Sequence, residues 1–121
     1  MGVREEIEAL FAYNRDPANW TPEKQLANYL DDGVLAISGM GAMKKSELAP
    51  FYESWKDTKW QVNEQKIEDV VEISPEWCVV RGTSDSKDLT HDVTYKGWFA
   101  IVFKKVDGKW KIHTDTIIMT K

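Results

Sequence analysis

Apolar positions recur with two different periods along this chain, and the change from one to the other falls near its middle. In the first half the spacing is helical. Val3, Ile7, Leu10 and Phe11 lie at i, i+4, i+7 and i+8, with Arg4, Glu5, Glu6 and Glu8 on the wet side, which predicts an amphipathic helix over 3–14. Asp16-Pro17 ends it, because the residue before a proline is pushed out of helical geometry. Thr21-Pro22 supplies a capping hydroxyl and a first-turn proline for a second helix, whose apolar side is Leu26, Ala27 and Leu30 and which closes at Asp31-Asp32-Gly33. Val34–Ile37 reads as a short strand. Ser38–Met43 is a glycine-rich connector without the lysine or glycine spacing of a phosphate loop. Ser46 can cap a third helix, with Leu48, Phe51, Tyr52 and Trp55 on one side and Pro50 tolerated in the first turn.

From Trp60 onward the period is two. Trp60 and Val62 are in one phase and Ile67, Val71 and Ile73 in the other, so a bulge is predicted within 63–66. Ser74-Pro75-Glu76 turns the chain, Trp77–Thr83 is the next strand, and Ser84–Asp92 is a polar loop or frayed hairpin end that leaves His91-Asp92 on the surface. The last segment carries the strongest local signal: two apolar runs flank Val106-Asp107-Gly108-Lys109, the sequence of a tight hairpin. Strands are expected over 60–73, 77–83, 93–106 and 109–120. In Val93–Val106, Tyr95, Phe99, Ile101 and Phe103 alternate with Trp98, Ala100 and Val102, so both faces are apolar. One face can cover a core or pocket. The other needs a helix or a second subunit. The expected architecture is α+β: three N-terminal helices on one side of a strongly bent antiparallel sheet, as a single domain over 1–121.

Composition narrows the function classes. A net charge of −4 argues against nucleic acid as the main partner. The single cysteine, Cys78, excludes an internal disulfide, fits a reducing compartment, and reads as a small buried residue rather than a nucleophile. No stretch approaches the ~20 apolar residues of a membrane span, and the N-terminus lacks a signal-peptide core, so a soluble cytoplasmic protein is expected. Two histidines, with neither CxxC nor HExxH, make a metal site unexpected, and no cofactor is implied. Six tryptophans suit an aromatic core or a lined cavity.

Three stretches together, NYLDDGVLAISG, ELAPFYESW and VDGKWKIHTDT, resemble the helix-to-strand join, third helix and last hairpin of the nuclear-transport-factor-2-like superfamily, which includes ketosteroid isomerase and SnoaL-like cyclases. The resemblance implies a cone-shaped fold with a pocket between the helices and the concave sheet face, and a convex face that packs a second subunit. It does not imply ketosteroid isomerase activity. Ile37-Ser38 stands where that enzyme carries its acidic base, and Phe11 lies nearest its helix-one tyrosine, with Tyr13 two residues on.

For chemistry, His113 and Asp115 fall ~6.6–7 Å apart on one face of the last strand if it is regular, and the resemblance turns that phase toward the pocket. Such a pair could do general acid–base work, or simply be satisfied by neighbouring strands. Expected ligand-lining residues are Phe11, Tyr13, Trp20, Tyr52, Trp55, Arg81 and Trp98. Arg81 could meet a ligand carboxylate, or pair with an acid on the next strand. Three functions are compatible with these residues. They are a module binding a small hydrophobic or aromatic molecule, a cofactor-free isomerase, lyase or cyclase using His113 and Asp115, and a dimeric association domain.

Overall fold

The structure is a computed structural model that describes residues 2–58 and 60–121, with the backbone alone at residues 55–58 and 60. The first helix, α1, spans Val3–Arg15 and buries Ile7 and Phe11. A 3-10 turn, Pro17–Asn19, leads to the short α2, Pro22–Leu26, whose cap is the Thr21 hydroxyl accepting from the Lys24 N–H at 3.2 Å. Strand β1 (Tyr29–Ile37) and β2 (Gly41–Lys44) form a hairpin, and α3 occupies Leu48–Thr58. The remaining strands are β3 (Trp60–Ser74), β4 (Trp77–Asp88), β5 (Val93–Val106) and β6 (Lys109–Thr120). No described helix is long and apolar enough to cross a membrane.

The six strands make one open sheet in the order β2-β1-β6-β5-β4-β3. The expected helices and strands are present, with five differences. Helix α2 stops at Leu26 instead of running to Asp31-Asp32-Gly33, because the chain from Tyr29 is taken up by β1. Strand β4 continues past Thr83 to Asp88, because Ser84–Asp88 pairs with β5. The sheet is mixed, because β1 runs parallel to β6. The connector at 38–43 contributes β2. Strand β1 starts at Tyr29, earlier than its apolar run suggests, because its register is broken between Tyr29 and Val34 around Asp31-Asp32-Gly33. The hairpin turn at 106–109 has Asp107 and Gly108 at φ of 52° and 78°, the left-handed pair that matches the twist of the flanking strands. The bulge predicted within 63–66 is present, as the pairing with β4 skips Asn63, and further breaks follow between Ile67 and Asp69 and between Glu72 and Ser74.

Alternation along β4 and β5 separates the two faces. Cys78, Val80, Phe99, Ile101 and Phe103 point inward and are buried with Ile7, Phe11, Leu48 and Tyr52 from the helices. Trp98 points outward and is 73% exposed, alongside Ile118 on β6 and Val71 on β3. At Gly82, opposite Phe99, an added Cβ would overlap the Lys66 carbonyl and come within 2.6 Å of the Phe99 ring. Neither backbone nor a packed ring can yield cheaply. We therefore expect Gly82→Ala to cost about 1–3 kcal/mol, seen as a melting temperature several degrees lower. An unchanged melting curve would show that β3 and β4 can separate at this point.

Candidate functional site

The helices and the inner sheet face enclose a cavity of about 200 Å³, smaller than the ~300–1,000 Å³ typical of pockets for drug-sized ligands. Its closed end is built by Tyr29, Leu35, Ile37, Tyr52, Ile101 and Phe103, all buried, together with Ile112 and Asp115. Its open end is formed by Asn14 and Arg15 at the end of α1, by Trp20, Thr21 and Gln25, and by Gln65 on β3.

Asp115 reaches the closed end because β6 contains an extra residue. Pairing with β5 passes from Phe103–Ile112 to Val102–Thr114 and omits His113. Side chains therefore point inward at Trp110 and Ile112 before the bulge, and at Asp115 and Ile117 after it. Asp115 lies between Leu35 of β1 and Ile101 of β5, both apolar and buried. One of its carboxyl oxygens, Oδ1, exposes less than 1 Å² and has no hydrogen-bond partner. The residue as a whole keeps some accessible surface, and that surface belongs to its other atoms, which face the cavity. Burial pushes the Asp115 carboxyl up from its ordinary 3.8 to about 7.

Two tyrosines sit with it. The Tyr29 and Tyr52 hydroxyls are 2.9 Å apart and share one hydrogen bond. Burial raises both, Tyr52 to about 12, and the nearby Asp115 carboxyl adds to each rise. The open end is organised by amides and an indole. Asn28 donates to Asn14 Oδ1 at 2.9 Å, and the Asn28 carbonyl accepts the Ile112 N–H at 2.7 Å, tying the strap before β1 to β6. Trp20 donates its indole N–H to the Asn14 carbonyl at 2.6 Å, which satisfies its polar edge while the ring lines the cavity.

Of the residues expected here, Phe11, Trp20, Tyr52 and Asp115 line the cavity. Four others lie elsewhere. His113, at the bulge, turns to the opposite sheet face and packs edge-on against Trp77 at 5.5 Å, with Nδ1 2.8 Å from the Thr114 hydroxyl. It cannot share a substrate with Asp115. Tyr13 is 48% exposed, since two residues along a helix from the inward Phe11 is about 200° of rotation. Arg81 is on the outer face, where its guanidinium grips the Asp69 carboxylate at 2.9 and 3.1 Å across the neighbouring strand. Trp98 is on that outer face too. The Trp55 side chain lies outside the described residues. Cys78 is buried, and burial pushes its thiol up to about 11, away from nucleophile chemistry. Tyr29, Asn14, Arg15, Asn28 and Gln65 are cavity residues that the sequence did not single out. Among the described residues no group of three His, Cys, Asp or Glu converges as metal ligands.

No protein-family model matches the sequence, and neither does any curated protein. Solved structures do match over nearly the whole chain. A ketosteroid isomerase-like protein from Erwinia carotovora atroseptica is 26% identical with a TM-score of 0.74, covering 97% of this chain and 95% of its own. An NTF-2 like protein of unknown function from Shewanella oneidensis is 19% identical with a TM-score of 0.77, covering 95% and 98%. A cystatin-like-fold protein of unknown function from Nostoc punctiforme is 19% identical with a TM-score of 0.70, covering 97% and 90%.

The raised Asp115 acid makes a signed prediction about stability. In the unfolded chain the group ionises near 3.8, and in the folded protein near 7. Its contribution to stability is full below the lower value, is lost as pH rises between the two, and is level above about 7. Asp115→Asn keeps a neutral group of the same shape. Its melting temperature should match the parent at pH 4 and exceed it by several degrees at pH 8, a gap of a few kcal/mol. Parallel curves for the two proteins across that range would mean that the acid is not raised.

Proposed function

We propose that this protein, whose fold is that of the nuclear-transport-factor-2-like superfamily, binds a small, largely apolar molecule in the cavity between helices and sheet, and holds that molecule's polar group at Asp115. The observation that carries this is the buried carboxyl whose Oδ1 has no hydrogen-bond partner, set between the apolar Leu35 and Ile101 in the cavity wall. Burying a polar atom without a partner costs about 1–3 kcal/mol, and apolar cavities with a few convergent polar groups are what ligand sites look like. The Tyr29–Tyr52 pair adds a second polar point beside it.

The same group favours one alternative. A carboxyl ionising at about 7 is suited to taking and returning a proton at neutral pH, so an isomerase or lyase reaction would run on Asp115 alone, with Tyr29 and Tyr52 as hydrogen-bonding neighbours and no part for His113. We further propose a homodimer through the outer sheet face. Trp98, Ile118 and Val71 are exposed there, and at ~25 cal/mol per Å² their burial is worth several kcal/mol.

Thermal-shift screening of aromatic and polyketide-like compounds should yield a binder. Its affinity should fall about tenfold or more in Trp20→Ala and about three- to tenfold in Asp115→Leu, and stay unchanged in Trp98→Ala. Equal losses in Trp98→Ala and Trp20→Ala would remove the site from this cavity. Sedimentation should show a dimer that Trp98→Lys converts to monomer. A parent protein that is monomeric at micromolar concentration would dispose of the dimer.

A further inference from the structure

We propose that the molecule taken by this cavity is an organic anion, a short aryl or alkyl carboxylic acid, whose carboxylate is held by Arg15 at the open end while a hydroxyl or carbonyl at its other end meets Asp115. The inference rests on the pocket proposed above and adds to it the charge and direction of the ligand.

The first observation is that Arg15 is unused. The chain has three arginines. Arg4 is bound to Glu8 at 2.9 Å and to the Ile67 carbonyl at 3.0 Å, and Arg81 to Asp69. Arg15 lines the cavity, is exposed, and pairs with no acid or carbonyl among the described residues. The nearest acid in sequence, Asp16, is already engaged, accepting the Ala18 N–H at 3.0 Å to cap the 3-10 turn. A planar guanidinium at the rim of an apolar cavity is the side chain best shaped to take a carboxylate in two parallel hydrogen bonds.

The second observation is the division of charge along the cavity. Among the described residues Arg15 is the one cationic and Asp115 the one acidic residue lining the cavity; Arg15 is exposed, whereas Asp115 lies between the buried Leu35 and Ile101. The amides between them are partly committed. Asn28 donates to Asn14, and Gln25 donates to the Asn19 carbonyl at 3.1 Å. A carboxylate pushed to the closed end would lie beside an acid enclosed by Leu35 and Ile101, where it would be both desolvated and repelled. At the open end it keeps its water and gains a cation. An amphipathic acid therefore has one favourable direction of entry, apolar body first. Its competitor for Arg15 is Glu64, which shares the shallow groove that continues past the rim, whereas Glu8 in that groove is held by Arg4.

The test uses the full chain and a matched pair of probes, 3-(4-hydroxyphenyl)propanoate and 3-(4-hydroxyphenyl)propanamide, titrated calorimetrically at pH 7. The acid should bind about tenfold or more tightly than the amide, the worth of a charge-assisted hydrogen bond. Arg15→Gln should bring the acid down to the amide's affinity and leave the amide unchanged, and the Arg15 Nε–Hε resonance should move with the acid only. Equal binding of acid and amide, with Arg15→Gln silent, overturns the anionic ligand and leaves the pocket standing. An acid preference that survives Arg15→Gln overturns the assignment to Arg15. Failure of both probes to bind overturns the inference as well, and the Trp20 and Asp115 variants of the preceding screen then decide separately whether the pocket itself stands.

Discussion

The candidate site depends on one extra residue in the last strand. Strands carry side chains to alternate faces, so a single insertion reverses the facing of everything beyond it. In β6 that insertion is His113. Before it, Trp110 and Ile112 complete the core under the helices; after it, the inward positions fall to Asp115 and Ile117. A regular strand would have carried Thr114 and Thr116 into the cavity and left Asp115 outside with His113, in a pairing of ordinary surface groups. The bulge exchanges two small hydroxyls for one carboxyl in an apolar wall. His113 itself stays on the other face, against Trp77.

The sheet accordingly serves two environments. Its inner face is largely apolar, with Asp115 the one acid among the described cavity-lining residues. Its outer face mixes the Arg81–Asp69 ion pair with exposed Trp98 and Ile118. The two environments do not share residues, so substitutions on one face leave the chemistry of the other intact. The open end of the cavity is fastened differently, by backbone carbonyls and amides. Asn14 receives bonds from both Trp20 and Asn28, and Asn28 in turn holds β6. Three pieces of chain that are otherwise separate, the end of α1, the strap before α2 and the start of β1, are set in place by these few bonds.

Most of the architecture was legible from period and punctuation. The helix over 3–14, the Thr21 cap, the bulge at Asn63 and the turn at Asp107-Gly108 each leave a local signature that the structure keeps. The site was harder to see for reasons that are also physical. Before the bulge the apolar residues of β6 hold even positions, Trp110 and Ile112, but after it the run Ile117-Ile118-Met119 is apolar in both phases. No clean change of phase therefore marks the bulge, and the two intervening threonines, small and amphipathic, add none. Tyr29 precedes Asp31-Asp32-Gly33, which reads as a helix ending, so nothing local announces a strand. Arg15 and Gln65 join the cavity only through packing between elements distant in sequence, which no window along the chain contains. Both faces of β5 are apolar, so the sequence could not tell which would carry Trp98 to the outside.

The parallel pairing of β1 with β6 has a consequence in time. Strands β3 to β6 follow one another as hairpins, so each can form on the one just made. Strand β1 has no such neighbour apart from the short β2. Its principal partner is the last strand, where Leu35 meets Asp115 at the far end of the chain. Within this sequence β1 therefore cannot complete its main pairing until β6, the strand furthest from it along the chain, has been made. The cavity closes only when β6 arrives, and the residue that completes its wall is the same one that gives it an acid.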